Sequence, residues 1–253
     1  MSTYLSRARF GDIVTEFAMP SRPSSRVVIF CPGMPTSPSK SALLHFLAKK
    51  GFWAFTIRYR GTWESGGTFL QYSPEQDVIK VIDGIERGFR DIYTRKMLRL
   101  KSPMISVFGS SFGGAAAVLA SRDRRVQHAV ALSPVIDWRV QGRTIESIDW
   151  TEKFTREAFG EAYRGGTGGW RKLKKGNFYN PAAHTESVEG SKVLLFATKD
   201  DRTVSYLPAV RFTKATGAAL VLRARGGHLG SHFIMRPTVW KRIKNFLNKK
   251  QAS

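Results

Sequence analysis

Six short apolar runs, rich in β-branched and aromatic residues, constrain the fold of this 253-residue chain more than any other feature. They are RVVIF (26–30), FWAFTI (52–57), MISVF (104–108), VQHAVAL (126–132), KVLLFA (192–197) and ALVLR (219–223). Polar residues hardly alternate within them, which is the pattern of strands covered on both faces, as in a parallel sheet. Helical stretches lie between them, and the succession of strand, helix and strand predicts an open α/β sheet covered by helices. The clearest helix opens at Ser73-Pro74-Glu75-Gln76, which reads as a capping box with proline at the first helical position. Val78, Ile82, Ile85 and Phe89 then recur at helical spacing and give it one apolar face. A last amphipathic helix, Val239 to Leu247, closes the domain.

The rhythm breaks between residues 139 and 190. A helical piece (WTEKFTREAFGEAY), a glycine cluster and many aromatics fill this interval, and an insertion of that length is usually a functional lid or small subdomain. We read it as a cap over a core formed by residues 1–138 and 191–253. Its aromatics, Trp138, Trp150, Phe154, Phe159, Tyr163, Trp170, Phe178 and Tyr179, fit two roles equally: the wall of an acyl or aryl pocket, or the cap's own small core.

Chemistry enters at MISVFGSSFGGAAAVLA. A buried strand runs into Gly109-Ser110-Ser111-Phe112-Gly113 and then into a helix of small residues, which is the arrangement of a nucleophile elbow. The turn strains Ser111 so that its Oγ projects above the sheet, and the glycines let strand and helix approach. A serine nucleophile needs a base, and the base an orienting acid, in the chain order Ser, acid, His. Of five histidines, His228 in ARGGHLGSH follows the last strand on a glycine-flanked loop and is the expected base, with His232 in reserve. His45 and His128 read as packing residues on a helix and a strand, and His184 belongs to the insertion. The acid belongs after KVLLFA, in Thr198-Lys199-Asp200-Asp201-Arg202-Thr203-Val204. Counting from the strand end favours Asp200, and counting back from Val204 favours Asp201; the reading leans to Asp200.

These segments carry a family resemblance. GSSFGG, TKDDRTV, GGHLG and RYRGTWESGG together resemble serine hydrolases of the α/β-hydrolase superfamily, nearest to the esterase and prolyl-oligopeptidase-like branch. The last segment is similar to a common R-G-x-G-x-S-x-G stretch: Arg60 and Gly61 match, Trp63 replaces a glycine, and Glu64-Ser65-Gly66 follow. The resemblance implies an α/β-hydrolase fold and a Ser111–Asp200–His228 triad. It also implies an oxyanion hole from the backbone amides of Met34 and Phe112, although Cys31-Pro32-Gly33-Met34 stands where relatives usually carry His-Gly. The implied substrate is a small ester or other acyl compound. Carboxylic-ester hydrolysis leads; thioesterase, acyltransferase and aminopeptidase-like activities use the same triad.

Other classes find less support. The 41 Lys and Arg against 19 Asp and Glu leave a formal +22, yet these charges scatter along the chain and no nucleic-acid motif organises them. A non-catalytic binding protein on the same scaffold is the rival from another class, although the chain keeps candidates for nucleophile, acid and base. No HExxH, CxxC or P-loop occurs, so neither metal nor cofactor is expected. The lone cysteine, Cys31, closes a buried strand and reads as a packing residue. With no secretory signal or apolar run long enough to span a bilayer, a soluble, cytoplasmic protein is expected, and a homo-oligomer is left open.

Overall fold

The computed structural model describes residues 4–141 and 147–249, so residues 142–146 of the expected cap lie outside the described residues. The strands are β1 (Ser6–Phe10), β2 (Ile13–Ala18), β3 (Arg26–Cys31), β4 (Trp53–Arg58), β5 (Phe89–Arg90), β6 (Met97–Leu98), β7 (Met104–Ser110), β8 (Val126–Leu132), β9 (Val193–Thr198) and β10 (Ala219–Arg223). All but β5 and β6, which form their own small hairpin, join one eight-stranded sheet in the order β1-β2-β4-β3-β7-β8-β9-β10. From β4 to β10 the sheet is parallel, while β1–β2 and β2–β4 pair antiparallel. The six expected strands are therefore the parallel part, and the N-terminal hairpin is an addition to it.

The helices are α1 (Ser41–Lys49), α2 (Glu75–Arg87), α3 (Phe112–Ala120), α4 (Trp138–Gln141), α5 (Ile148–Phe159), α6 (Thr167–Lys175), α7 (Leu207–Thr216) and α8 (Pro237–Leu247). Their placement follows the pleat of the strands. In β3, Val27, Ile29 and Cys31 pack with Val78, Val81, Ile82 and Ile85 of α2 and the alanines of α3. Val28 and Phe30 point the other way, onto Leu43, Leu44 and Leu47 of α1 and Trp240, Ile243 and Phe246 of α8. Every one of these strand side chains is fully buried, which is why the run shows no polar alternation. On the α3 side, Val193 and Leu195 of β9 meet Ala209 and Phe212 of α7.

The start of α2 differs from the capping box expected. Pro74, at φ −58°, takes the N-cap position with no side-chain cap, and the Ser73 hydroxyl bonds the Glu75 carboxylate instead of a backbone amide. Phe89 also falls outside the helix: α2 stops at Arg87 because Gly88 turns to φ +90°, although the Phe89 ring is still buried, in β5.

Candidate active site

The strand-to-helix turn between β7 and α3 holds Ser111 at φ +54°, ψ −121°, a conformation that side-chain-bearing residues rarely adopt. Its neighbours explain why glycine flanks it. A Cβ on Gly109 would lie 2.0 Å from the Gly113 carbonyl oxygen, and one on Gly113 would lie 2.1 Å from the Cys31 carbonyl oxygen and 2.4 Å from that of Pro32. The start of α3 thus lies directly against the end of β3, and no side chain fits between them. Gly113→Ala is accordingly expected to destabilise the fold by about 3 kcal/mol or more, because the atoms in the way are backbone. Urea unfolding checks this, and an unchanged midpoint would mean that the two segments are further apart.

The loop after β10 brings His228 to the same end of the sheet. Its Nδ1 lies 2.9 Å from Asp201 Oδ2, and the Asp201 side chain is only 1% exposed. The other carboxylate oxygen, Oδ1, accepts the backbone amides of Thr203 and Val204, each at 3.0 Å. Burial alone would push the Asp201 carboxyl up, but the hydrogen bond and charge of His228, the Val204 amide and the Ser133 hydroxyl together hold it below the usual range. Ser133, just past β8, also accepts the Leu229 amide at 3.1 Å and so ties down the residue after the imidazole.

The structure does not bring Asp200, the aspartate favoured from the sequence, to the imidazole. That carboxylate is turned to the backbone of the histidine loop, where it accepts the amides of Gly227 at 2.9 Å and Gly226 at 3.1 Å. Both glycines have positive φ, so the loop bends sharply around it. Asp200 shapes the loop, and Asp201 meets the ring. The reserve histidine, His232, lines the same cavity, but among the described residues no carboxylate pairs with it.

Ser111 and His228 open onto one cavity of about 380 Å³. No hydrogen bond joins them among the described residues. Gly33, Met34 and Pro35, which follow β3, line the cavity as well. Phe112 is the first residue of α3, and amides in the first turn of a helix lack intrahelical partners. Cys31 is fully buried, and burial pushes its thiol up, so it packs rather than reacts.

The aromatics of the insertion divide, and the inward group packs into the main core instead of forming a small core of the cap. Trp138, Trp170 and Tyr179 are buried and join the main core, with the Tyr179 ring 4.8 Å from that of Phe112. Trp150 and Phe154 of α5 are exposed, stack at 5.0 Å and line the cavity. The loop from Arg60 to Gly66 fastens the insertion in place. Trp63, at the position where similar sequences carry glycine, has φ +49°, so the backbone keeps a shape suited to glycine. Its amide donates to the Ala162 carbonyl at 3.0 Å, and the Arg164 guanidinium donates back to the carbonyls of Trp63 and Ser65. No local pattern marks Ser133, Lys40 or Thr36, all of which bear on the site.

A mostly parallel sheet with helices on both faces and a serine on a strained strand-to-helix turn defines an α/β-hydrolase fold. Solved structures share it. An esterase of Pyrococcus furiosus superposes with a TM-score of 0.69 at 19% identity, over 97% of this chain and 90% of that one. Est1E from Butyrivibrio proteoclasticus, bound to ferulic acid, gives 0.65 at 18%, over 94% and 96%. The acylaminoacyl peptidase of Pyrococcus horikoshii gives 0.67 at 14%, over 100% of this chain but 43% of that one. No curated protein sequence matches. The profile of the prolyl oligopeptidase family matches residues 38–249, and the chain belongs to that family of serine hydrolases. The segment carrying Cys31 to Met34 precedes the matched range. Among the described residues no helix is long and apolar enough to cross a membrane.

Proposed function

We propose that the protein hydrolyses carboxylic esters through an acyl-enzyme, with Ser111 as nucleophile, His228 as base and Asp201 as its orienting acid. One observation carries this reading: Ser111 and an imidazole already bonded to a buried carboxylate line the same cavity. Ser111 Oγ attacks the ester carbonyl as His228 Nε2 takes its proton. Asp201 holds the Nδ1 proton, which fixes the tautomer, and stabilises the imidazolium that forms. The amides of Met34 and Phe112 donate to the tetrahedral oxyanion. His228 then protonates the leaving alkoxide and draws a proton from the water that releases the acid. Esters are favoured over peptides because the Pyrococcus furiosus esterase, like Est1E, matches this chain over nearly its whole length. The acylaminoacyl peptidase is more than twice as long as the part that matches.

The test combines p-nitrophenyl esters from C2 to C12 with a fluorophosphonate probe and peptide mapping. Ester turnover with the probe on Ser111 is the expected result. Labelling without turnover moves the substrate to thioesters or acyl-peptides, and a protein that neither labels nor turns over is not a hydrolase.

A further inference from the structure

Among the described residues that line the active-site cavity, one carries an acidic or basic side chain other than histidine, and it is a cation. Lys40 sits just before α1 and lines the cavity with Met34, Pro35 and Thr36. Among the described residues no Asp or Glu lines this cavity. The Lys40 ammonium donates to Thr36 Oγ1 at 2.8 Å and to the Ser37 carbonyl at 3.0 Å, both neutral acceptors, and among the described residues no carboxylate lies within ion-pair distance. Glu16, which this turn does reach, accepts the Ser39 hydroxyl at 3.2 Å. An ammonium has three protons to donate, so two contacts leave one free for a ligand. Burial also disfavours the charge here, and among the described residues no carboxylate pairs with it to compensate. A bound anion would supply that compensation.

Two further lining residues have the opposite character. Trp150 and Phe154 stack with their planes 10° apart and present an exposed aromatic surface. A molecule filling the cavity thus meets a flat apolar wall, a serine and the Lys40 cation.

We propose that Lys40 is a specificity-determining residue and that the natural substrate is an ester carrying a carboxylate, its apolar body against Trp150 and Phe154 and its anionic end on Lys40. This inference rests on the ester-hydrolase reading. A solvent-screened ion pair contributes little, but in a partly closed cavity a charge-assisted hydrogen bond is stronger, and a roughly tenfold preference is the expected scale.

The test compares kcat/KM for the p-nitrophenyl monoester of glutaric acid with that for p-nitrophenyl valerate, an uncharged chain of similar length. A second pair, 4-acetoxybenzoate and its methyl ester, places the carboxylate on the leaving group, so the two arms show on which side the anion sits. In the wild type the anionic member of at least one pair should be preferred about tenfold, and added salt should shrink the preference. Lys40→Met should abolish that ratio and Lys40→Arg should keep most of it. Turnover of the neutral esters without any anionic preference, or a preference that survives in Lys40→Met, overturns this inference while leaving the hydrolase reading intact. Absence of turnover with every ester overturns both.

Discussion

Replacing Ser111 with alanine is expected to lower kcat for a p-nitrophenyl ester by about 10⁴-fold or more, because removing a triad nucleophile leaves only binding and oxyanion contacts. The fold should survive, since alanine is as strained at this position as serine. Glycine is the informative companion. The backbone at φ +54°, ψ −121° is one that glycine alone adopts readily. Relief of such strain contributes about 1–3 kcal/mol, and the freer unfolded chain takes back up to about 1 kcal/mol. Ser111→Gly should therefore be inactive yet about 1 kcal/mol more stable than wild type in urea unfolding. A protein that holds an active-site residue in an unfavourable conformation has exchanged stability for geometry, and the two variants together detect that exchange. If Ser111→Ala keeps full turnover, the nucleophile lies elsewhere. A glycine variant no more stable than wild type would mean that the turn stores no strain.

The parallel half of this sheet could be read in the sequence because burial on both faces removes polar alternation. Val27 to Cys31 is a run without a polar residue, and every one of these side chains is fully buried. The N-terminal hairpin was not legible for the opposite reason. In β2, Thr15 and Glu16 are buried polar residues amid Ile13, Val14 and Phe17, and β1 alternates with arginine. Their burial depends on partners distant in sequence, such as Ser39 bonding Glu16 and Ser65 bonding the Val14 amide. The nucleophile turn was legible because its geometry demands glycine at defined offsets. The aromatics of the insertion were not separable, since Trp150 and Trp170 both stand on helices and only the packing of Phe69 against Trp170 draws one of them inward. The cation Lys40 gave no signal, because nothing local shows that a residue before α1 borders the cavity.

The choice between two adjacent aspartates turned on one residue of strand length. The apolar run ends at Ala197, but β9 continues through Thr198, whose hydroxyl bonds the Gly227 carbonyl at 2.7 Å. The following turn then gives Asp200 to the glycine amides and Asp201 to the imidazole. Asp201→Asn should keep its contacts to Thr203 and Val204 through the remaining carbonyl oxygen, but its amide would offer a donor to Nδ1 and favour the wrong tautomer. A kcat loss of about 10⁴-fold is expected, with KM little changed. Stability carries a second readout. The folded-state pKa of Asp201 is depressed, so its ionised form contributes stability that is present above the usual carboxylate range and is lost as pH falls through the folded value. The asparagine variant should lack that part of the acid limb in a pH series of urea midpoints. Asp200→Asn retains only one acceptor for two loop amides, so it should loosen the loop and lower kcat far less. A larger kcat loss in Asp200→Asn than in Asp201→Asn would reverse the assignment. Equal losses would mean that the loop's shape, and not the charge beside the imidazole, sets the rate.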